Sequence, residues 1–286
     1  MTGPIALLTD SSCDIPQALL EQYDIGIVPL GVIWGDETLR DRVELSPEEF
    51  YRRLKTDPRH PTSSQPTPAD MQKVYRQAID GGAKEIVMLS LSSGMSGTFR
   101  LAEQIGRQME VPVHVVDAKG PTMSLGWQVL AAARIRELGG NALEMVAAAA
   151  KARARMVQVV CLDTLDFLFK GGRIGGAKHF IGSLLNLKPI VEVNHQTGTV
   201  ESVAQARTRK KSIETFLGRF FELLGTGRKK HVALLHGDAE PEARELAERI
   251  RQEHAPDELL VNLTGPVMGI HTGPGALSLC GYTEEE

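Results

Sequence analysis

Short apolar runs alternate along the chain with stretches whose apolar residues recur every three or four positions. That is the pattern of strands alternating with amphipathic helices. A strand at about 4–9, with Ile5-Ala6-Leu7-Leu8 at its centre, runs into Thr9-Asp10. Asp14 stands where an N-cap belongs, with Pro16 in the first turn of a helix that ends near Tyr23. Residues 27–34 read as β, and Gly35-Asp36-Glu37 as a turn. Ser46-Pro47-Glu48-Glu49 has the capping-box pattern and opens a helix through Leu54. Thr56 to Pro66 reads as a polar loop, and Thr67-Pro68-Ala69-Asp70 starts the next helix in the same manner. A strand at 84–90, a helix from Gly97 to about Met109 and a strand at 111–116 follow. An Ala-rich helical region, about 121–155, is divided by Gly139-Gly140-Asn141.

A second unit begins near Met156. A strand at 157–162 and a helix at 164–170 lead to Gly171-Gly172. Strands at 189–194 and 199–206 flank the turn His195-Gln196-Thr197-Gly198. A helix at 209–224, a strand at 231–236, a helix at 240–253 and a strand at 258–263 complete the pattern. The chain is therefore expected to be α/β, with two α/β domains. Residues 1–155 form one around a mainly parallel sheet with flanking helices; residues 156–286 form the other around a mixed sheet with helices. No internal repeat or low-complexity linker separates them, so they are expected to pack closely around a shared cleft.

Composition narrows the function. With 286 residues, 42% hydrophobic and 24% charged, the chain has the make-up of a globular protein. A net charge of −4 provides no overall positive field for nucleic acid or an anionic membrane. The basic clusters 207–211 and 228–230 read as solvated positions, with docking of an acidic partner as the alternative. Cys13, Cys161 and Cys280 are odd in number and far apart, which argues against a disulfide framework and for a reducing compartment. No CxxC or Cys/His ligand spacing points to a metal. No secretory leader or membrane-length apolar run is evident, so a cytoplasmic protein without integral membrane association is expected.

Two hydroxyl-rich segments lead into helices: Thr62-Ser63-Ser64-Gln65-Pro66-Thr67-Pro68 and Ser90-Leu91-Ser92-Ser93-Gly94-Met95-Ser96-Gly97-Thr98. Helix starts carry unpaired N–H groups and a partial positive charge, and hydroxyls add donors, so the pair suggests an anion site. Capping alone is the competing explanation. Arg173, in Lys170-Gly171-Gly172-Arg173-Ile174-Gly175-Gly176, and His271, in a Gly/Pro-punctuated loop at 269–275, could add charge. No GxxxxGK[ST] phosphate loop, GxGxxG fingerprint or HExxH occurs. Thr98 occupies the last glycine position of a GxSxG elbow. Binding is favoured over catalysis, and no catalytic residue is assigned.

Leu8-Thr9-Asp10-Ser11-Ser12-Cys13-Asp14-Ile15-Pro16, Ser63-Ser64-Gln65-Pro66-Thr67, residues 91–99, Val116-Asp117-Ala118-Lys119, residues 163–175, Lys188-Pro189-Ile190 and residues 265–276 form an ordered set. On these segments the chain resembles the DegV family of bacterial fatty-acid-binding proteins. These ordered segments run nearly the whole length. The resemblance implies a lipid between the two domains, its tail in the N-terminal core and the C-terminal domain closing over the head group. It places the carboxylate on Ser63, where the family often has Thr, and on Ser93. Ser64, Ser96, Arg173 and His271 become possible head-group or phosphate contacts. Phe169 stands where a basic residue often occurs, which weakens an expected contact to phosphate or partner.

FakB-like relatives present a long-chain fatty acid, such as palmitate, to a separate fatty acid kinase that makes the acyl phosphate for phospholipid synthesis. By that resemblance this chain needs no cofactor of its own, and ATP and Mg belong to the partner. Burying a C16 tail at about 0.8 kcal/mol per methylene offers on the order of 10 kcal/mol before the costs of association. The buried carboxylate must be hydrogen-bonded, or its desolvation would cancel much of that gain. Two alternatives stay open: an acyl hydrolase or transferase using Ser93 or Ser96 with His271 as base, and a binder of another anionic lipid.

Overall fold

In the computed structural model, which describes residues 4–175 and 187–284, two apolar runs form the centre of the first sheet. These are β1 (Ile5–Asp10) and β6 (Glu85–Ser90). Both are buried on both faces, which explains why they read as continuous rather than alternating. With β2 (Ile25–Val28) and β7 (Val113–Asp117) they make a wholly parallel sheet in the order β2-β1-β6-β7.

The β-like stretch 27–34 is two strands in different sheets. β3 (Gly31–Trp34) begins after Pro29, which has no N–H to continue the ladder. It pairs antiparallel with β4 (Glu37–Arg40) and with β5 (Thr62–Ser64). β5 lies inside the segment expected to be loop. Its three residues carry no apolar periodicity, and pairing with β3 alone makes them a strand.

The helices α1 (Gln17–Gln22), α2 (Pro47–Thr56), α3 (Pro68–Asp80) and α4 (Thr98–Gly106) belong to this half. Ser46 and Thr67 cap α2 and α3, as their spacing suggests. Asp14 does not cap α1, whose N-cap is Pro16 without a side-chain bond. It sits at φ +51°, fully buried, and serves the other half of the molecule.

α5 (Met123–Glu137) and α6 (Ala142–Ala154) pack between the parallel sheet and the second sheet. α5 has no polar face along its first turns: Met123 to Leu130 are all buried, as expected of a helix covered from both sides. Asn141 and Glu144 form a capping box that starts α6 after the Gly139-Gly140 break. Trp127 of α5 donates its indole N–H to the Cys280 carbonyl at 3.2 Å. One apolar core accordingly runs from Leu7 and Val87 through α5 to Leu235 and Tyr282.

The second sheet has the order β10-β9-β8-β13-β11-β12. It comprises β8 (Val157–Cys161), β9 (Lys188–Asn194), β10 (Thr199–Ala206), β11 (Lys230–His236), β12 (Glu258–Leu263) and β13 (Leu277–Thr283). Only β11 and β12 pair in parallel. α8 (Arg209–Leu224) and α9 (Glu240–His254) cover the outer face through Phe216, Phe220, Leu246 and Ile250. α7 (Asp166–Lys170) and α10 (Pro266–Thr272) lie on the inner side against the first half. The expected two-part architecture, parallel then mixed, is present. Cys13, Cys161 and Cys280 are buried and unpaired.

Candidate functional site

The loops that leave the carboxyl ends of β1 and β6 meet at Asp10. Its buried carboxylate accepts from the Ser12 N–H (3.1 Å) and hydroxyl (2.5 Å), the Leu91 N–H (2.8 Å) and the Ser90 hydroxyl (3.1 Å). Burial raises its pKa against the pull of those donors. Asp10 thereby ties the first loop to the serine-rich one, in the crevice at strand ends where open parallel sheets bind ligands.

Asp14 and Asp41 make the next connection, across the domains. Asp14 Oδ1 accepts from the Gly265 N–H at the start of α10 (2.9 Å) and from Arg42 (2.5 Å). Asp41 accepts from the Ser11 hydroxyl at 2.6 Å. Desolvation, only partly offset by Arg42, pushes the Asp41 carboxyl up to about 7. This cluster fixes α10, and α10 carries His271. The loop expected around His271 is therefore a helix, begun by Pro266 at its first turn and ended by Gly273 at φ +74°.

The placement of α10 brings His271 to the serine segments. Its Nε2 shares a hydrogen bond of 2.8 Å with the Ser63 hydroxyl of β5. The ring is buried, and burial followed by the charges of Arg173 and His60 pushes its pKa down to about 4. It is neutral near pH 7, and its Nδ1 has no hydrogen-bond partner among the described residues. A Cβ added at Gly171 would stand 2.1 Å from that Nδ1, so only glycine fits beneath the ring. Arg173 donates to the Met95 carbonyl (3.2 Å) and the Gly171 carbonyl (2.7 Å). No carboxylate among the described residues pairs with it.

Ser63, Ser64, Ser96, Arg173 and His271 line one cavity. Its walls are mainly apolar. Val160 and Leu162, Val191 and Val193, Val200, Leu168, and Val267 and Met268 come from the second half; Leu30, Leu91 and Met95 come from the first. The apolar depth thus lies against the second sheet, not in the N-terminal core where the tail was expected. The reason is packing: α5 and the core around Leu7 and Val87 already fill the space behind the parallel sheet.

Two further expectations change. Ser93 does not line the cavity. Its N–H donates to Asp117 (3.1 Å) and its hydroxyl accepts from Lys119 (3.3 Å), on the far side of the turn. Although burial opposes it, the hydrogen bonds from Ser93 and Lys119 hold the Asp117 carboxyl below its ordinary value. Ser96, three residues on, takes the cavity side. Nor is the site built on a free helix start at α3. Thr67 closes that turn itself, accepting from the Asp70 N–H (3.0 Å). Among the described residues, no cluster of side chains suits a metal, and no helix is long and apolar enough to cross a membrane. Gly176, the last residue of the Arg173 segment, lies outside the described residues.

Sequence reasoning missed Asp14, Asp41 and Ser92. The Ser92 hydroxyl donates to the Gly198 carbonyl at 2.7 Å, joining the serine loop to the turn between β9 and β10. Asp14 was legible only as a possible cap; nothing local in the sequence distinguishes it from one.

With this geometry in view, comparison with known proteins is decisive about kinship. The family model described as "Uncharacterised protein, DegV family" matches residues 4–284. The chain belongs to the DegV family. A DegV domain-containing protein of Streptomyces coelicolor is 37% identical over 282 residues, 98% of each chain. Among solved structures, a fatty-acid-binding DegV family protein from Thermus thermophilus is 33% identical with a TM-score of 0.91. The match covers 98% of this chain and 100% of that one. DegV of Bacillus subtilis, a fatty acid binding protein, is 30% identical with a TM-score of 0.89, covering 97% and 98%. These two DegV structures share the two α/β domains seen here, and both proteins are fatty-acid-binding.

Proposed function

We propose that this chain binds a long-chain fatty acid such as palmitate, the carboxylate held among Ser63, Ser96, Arg173 and His271. The observation that carries the reading is a mainly apolar cavity that has, among its described lining residues, one cation beside a neutral serine–histidine pair. Such an end suits a single carboxylate: Arg173 supplies charge, and the hydroxyls supply donors that cost little to bury when empty. The fatty acid binding of the Thermus and Bacillus relatives supports it. In this reading the acyl chain lies along Val160, Val191 and Val200, and Ser64 flanks the head group.

The chain would then present its lipid to a separate fatty acid kinase in the cytoplasm, with ATP and Mg on the partner. Its own lack of a phosphate loop supports that division, and Arg173 is the cation available to a developing acyl phosphate. Mass spectrometry of an organic extract of the purified protein tests the binding claim. A long-chain acid in stoichiometric amount is expected; a lipid-free protein that also fails to take up palmitate would refute it.

The hydrogen bond between Ser63 and His271 has the reach of a nucleophile and its base, so the acyl-hydrolase alternative moves from Ser93 or Ser96 to Ser63. With Nδ1 lacking an orienting carboxylate, it is the weaker reading. Partner-independent turnover of activated acyl esters, abolished by Ser63→Ala, would reverse that order.

A further inference from the structure

A second groove shares Gln158 and Val193 with the first cavity, but its other walls have a different chemistry. Lys119, in the loop after β7, and Arg153 of α6 come from the first half of the molecule. Glu192 of β9, with His195 and Gln196 of the β9–β10 turn, come from the second. Two cations converge there on one residue. Lys119 Nζ pairs with the Asp117 carboxylate at 2.9 Å, and Arg153 donates to the Asp117 backbone carbonyl at 2.6 Å.

One of the two charges has no counterpart. Asp117 offsets Lys119, and Glu192, the acidic residue of the lining, is paired with Arg219 at 2.6 Å. Arg153 is half-buried and pairs with no carboxylate among the described residues. A cation in the last turn of a helix is ordinarily explained by the helix dipole. Here the guanidinium donates to the loop after β7, not to the carbonyls of its own helix. His195 adds no charge of either sign. Burial, followed by the charge of Arg153, pushes its pKa down to about 4, so the ring is neutral near pH 7. It packs against the same loop: a Cβ added at Gly120, the residue after Lys119, would stand 3.1 Å from its Nε2. A groove with surplus positive charge concentrates anions.

We propose that this groove binds a phosphate group, free or esterified, held by Arg153 and Lys119 beside His195, at a site separate from Arg173 and His271. Arg153 uses one of its nitrogens on the Asp117 carbonyl, and Lys119 donates to Asp117 and, at 3.3 Å, to Ser93. The remaining guanidinium N–H groups and one ammonium N–H have no protein partner among the described residues. A phosphate presents several oxygens and up to two negative charges at once, which suits donors from two cations better than a single carboxylate does. The proposal does not depend on what fills the first cavity.

The whole chain is titrated with inorganic phosphate, chloride holding the ionic strength constant, and the ring C–H signals of His195 are followed by NMR. Phosphate beside Arg153 offsets the charge that depresses the imidazolium, so the His195 pKa is expected to rise as the site fills. Arg153→Gln should weaken phosphate binding about tenfold, Lys119→Gln should weaken it as well, and Arg173→Gln should leave it unchanged. Phosphate that acts no differently from chloride, or a His195 pKa that stays in place, would overturn the proposal. So would binding that survives Arg153→Gln, or binding that Arg173→Gln abolishes, which would put the anion in the first cavity. Glycerol 3-phosphate in solution and phosphatidylcholine vesicles containing phosphatidic acid separate the two sources of the group. Retention on the vesicles that Arg153→Gln abolishes marks a lipid-borne phosphate; binding in solution without such retention marks a soluble one.

Discussion

Ser63 and His271 are 208 residues apart in sequence, yet their side chains meet at 2.8 Å near Arg173, which pairs with no carboxylate among the described residues. Their energetic weight can be tested one residue at a time. Ser63→Ala leaves the imidazole nitrogen without its partner and is expected to weaken palmitate binding about tenfold by calorimetry. Arg173→Gln removes the charge and should cost more. Ser93→Ala, at a residue hydrogen-bonded to Asp117 and Lys119, should leave affinity nearly unchanged, whereas Ser96→Ala should lower it.

His271 also makes a prediction about pH. Its pKa lies near 4 in the folded protein and at 6.5 when exposed, so the unfolded chain binds the extra proton first. Its contribution to stability is whole above pH 6.5 and is lost as pH falls toward 4, on the order of 3 kcal/mol in all. Asp41, raised to about 7, acts in the opposite sense, because the folded state gains its proton first as pH falls. The comparison must therefore be between the unaltered protein and His271→Gln. Urea unfolding at pH 7 and pH 4.5 should show the variant losing less stability on acidification.

At the scale of elements, α10 is the part that assembles the site, and it does so through contacts at both ends. At its start, Asp14 accepts from Gly265 and Arg42. Asp14→Ala removes the ion-pair partner of Arg42, leaving Asp41 and the Ser11 carbonyl beside the guanidinium, and should destabilise the protein by roughly 3 kcal/mol, read as a lower Tm. At its end, Gly171→Ala places a methyl against His271 Nδ1, so the ring must move. That variant should fold but lose lipid affinity about as much as Ser63→Ala does. Helices whose signals are local were legible: Ser46, Thr67 and Asn141 each cap the helix that follows them. α10 was not, because seven residues dense in glycine and proline carry little intrinsic helicity and its position depends on a carboxylate from residue 14. β5 escaped for the same reason, since three polar residues become a strand only when β3 lies beside them.

For the whole molecule, the two halves are joined by α5, by α10 and by the bond from Ser92 to the Gly198 carbonyl. Gly94 sits against that same turn, where an added Cβ would come 2.9 Å from the Gly198 oxygen. Gly94→Ala should push the β9–β10 turn away from the serine loop and speed the release of bound lipid in a stopped-flow transfer assay. Fatty acid bound only by the folded state should raise its stability by about 2.7 kcal/mol at a hundredfold excess over Kd.

The residue pattern alone determined most of the elements, the parallel and mixed sheets and, through seven ordered segments, the resemblance to the family. These follow from periodicity, caps and turn residues, all of which act within a few positions along the chain. The resemblance grouped Ser63 and Ser93 with Ser64, Ser96, Arg173 and His271. Which serine faces the cavity was decided by the turn after β6, which sends Ser93 to Asp117 and Ser96 to the cavity. Where the apolar depth lies was decided by packing, because α5 fills the first half and leaves the space against the second sheet. Side-chain direction and unfilled volume are properties of contacts between distant segments, and no local pattern encodes them.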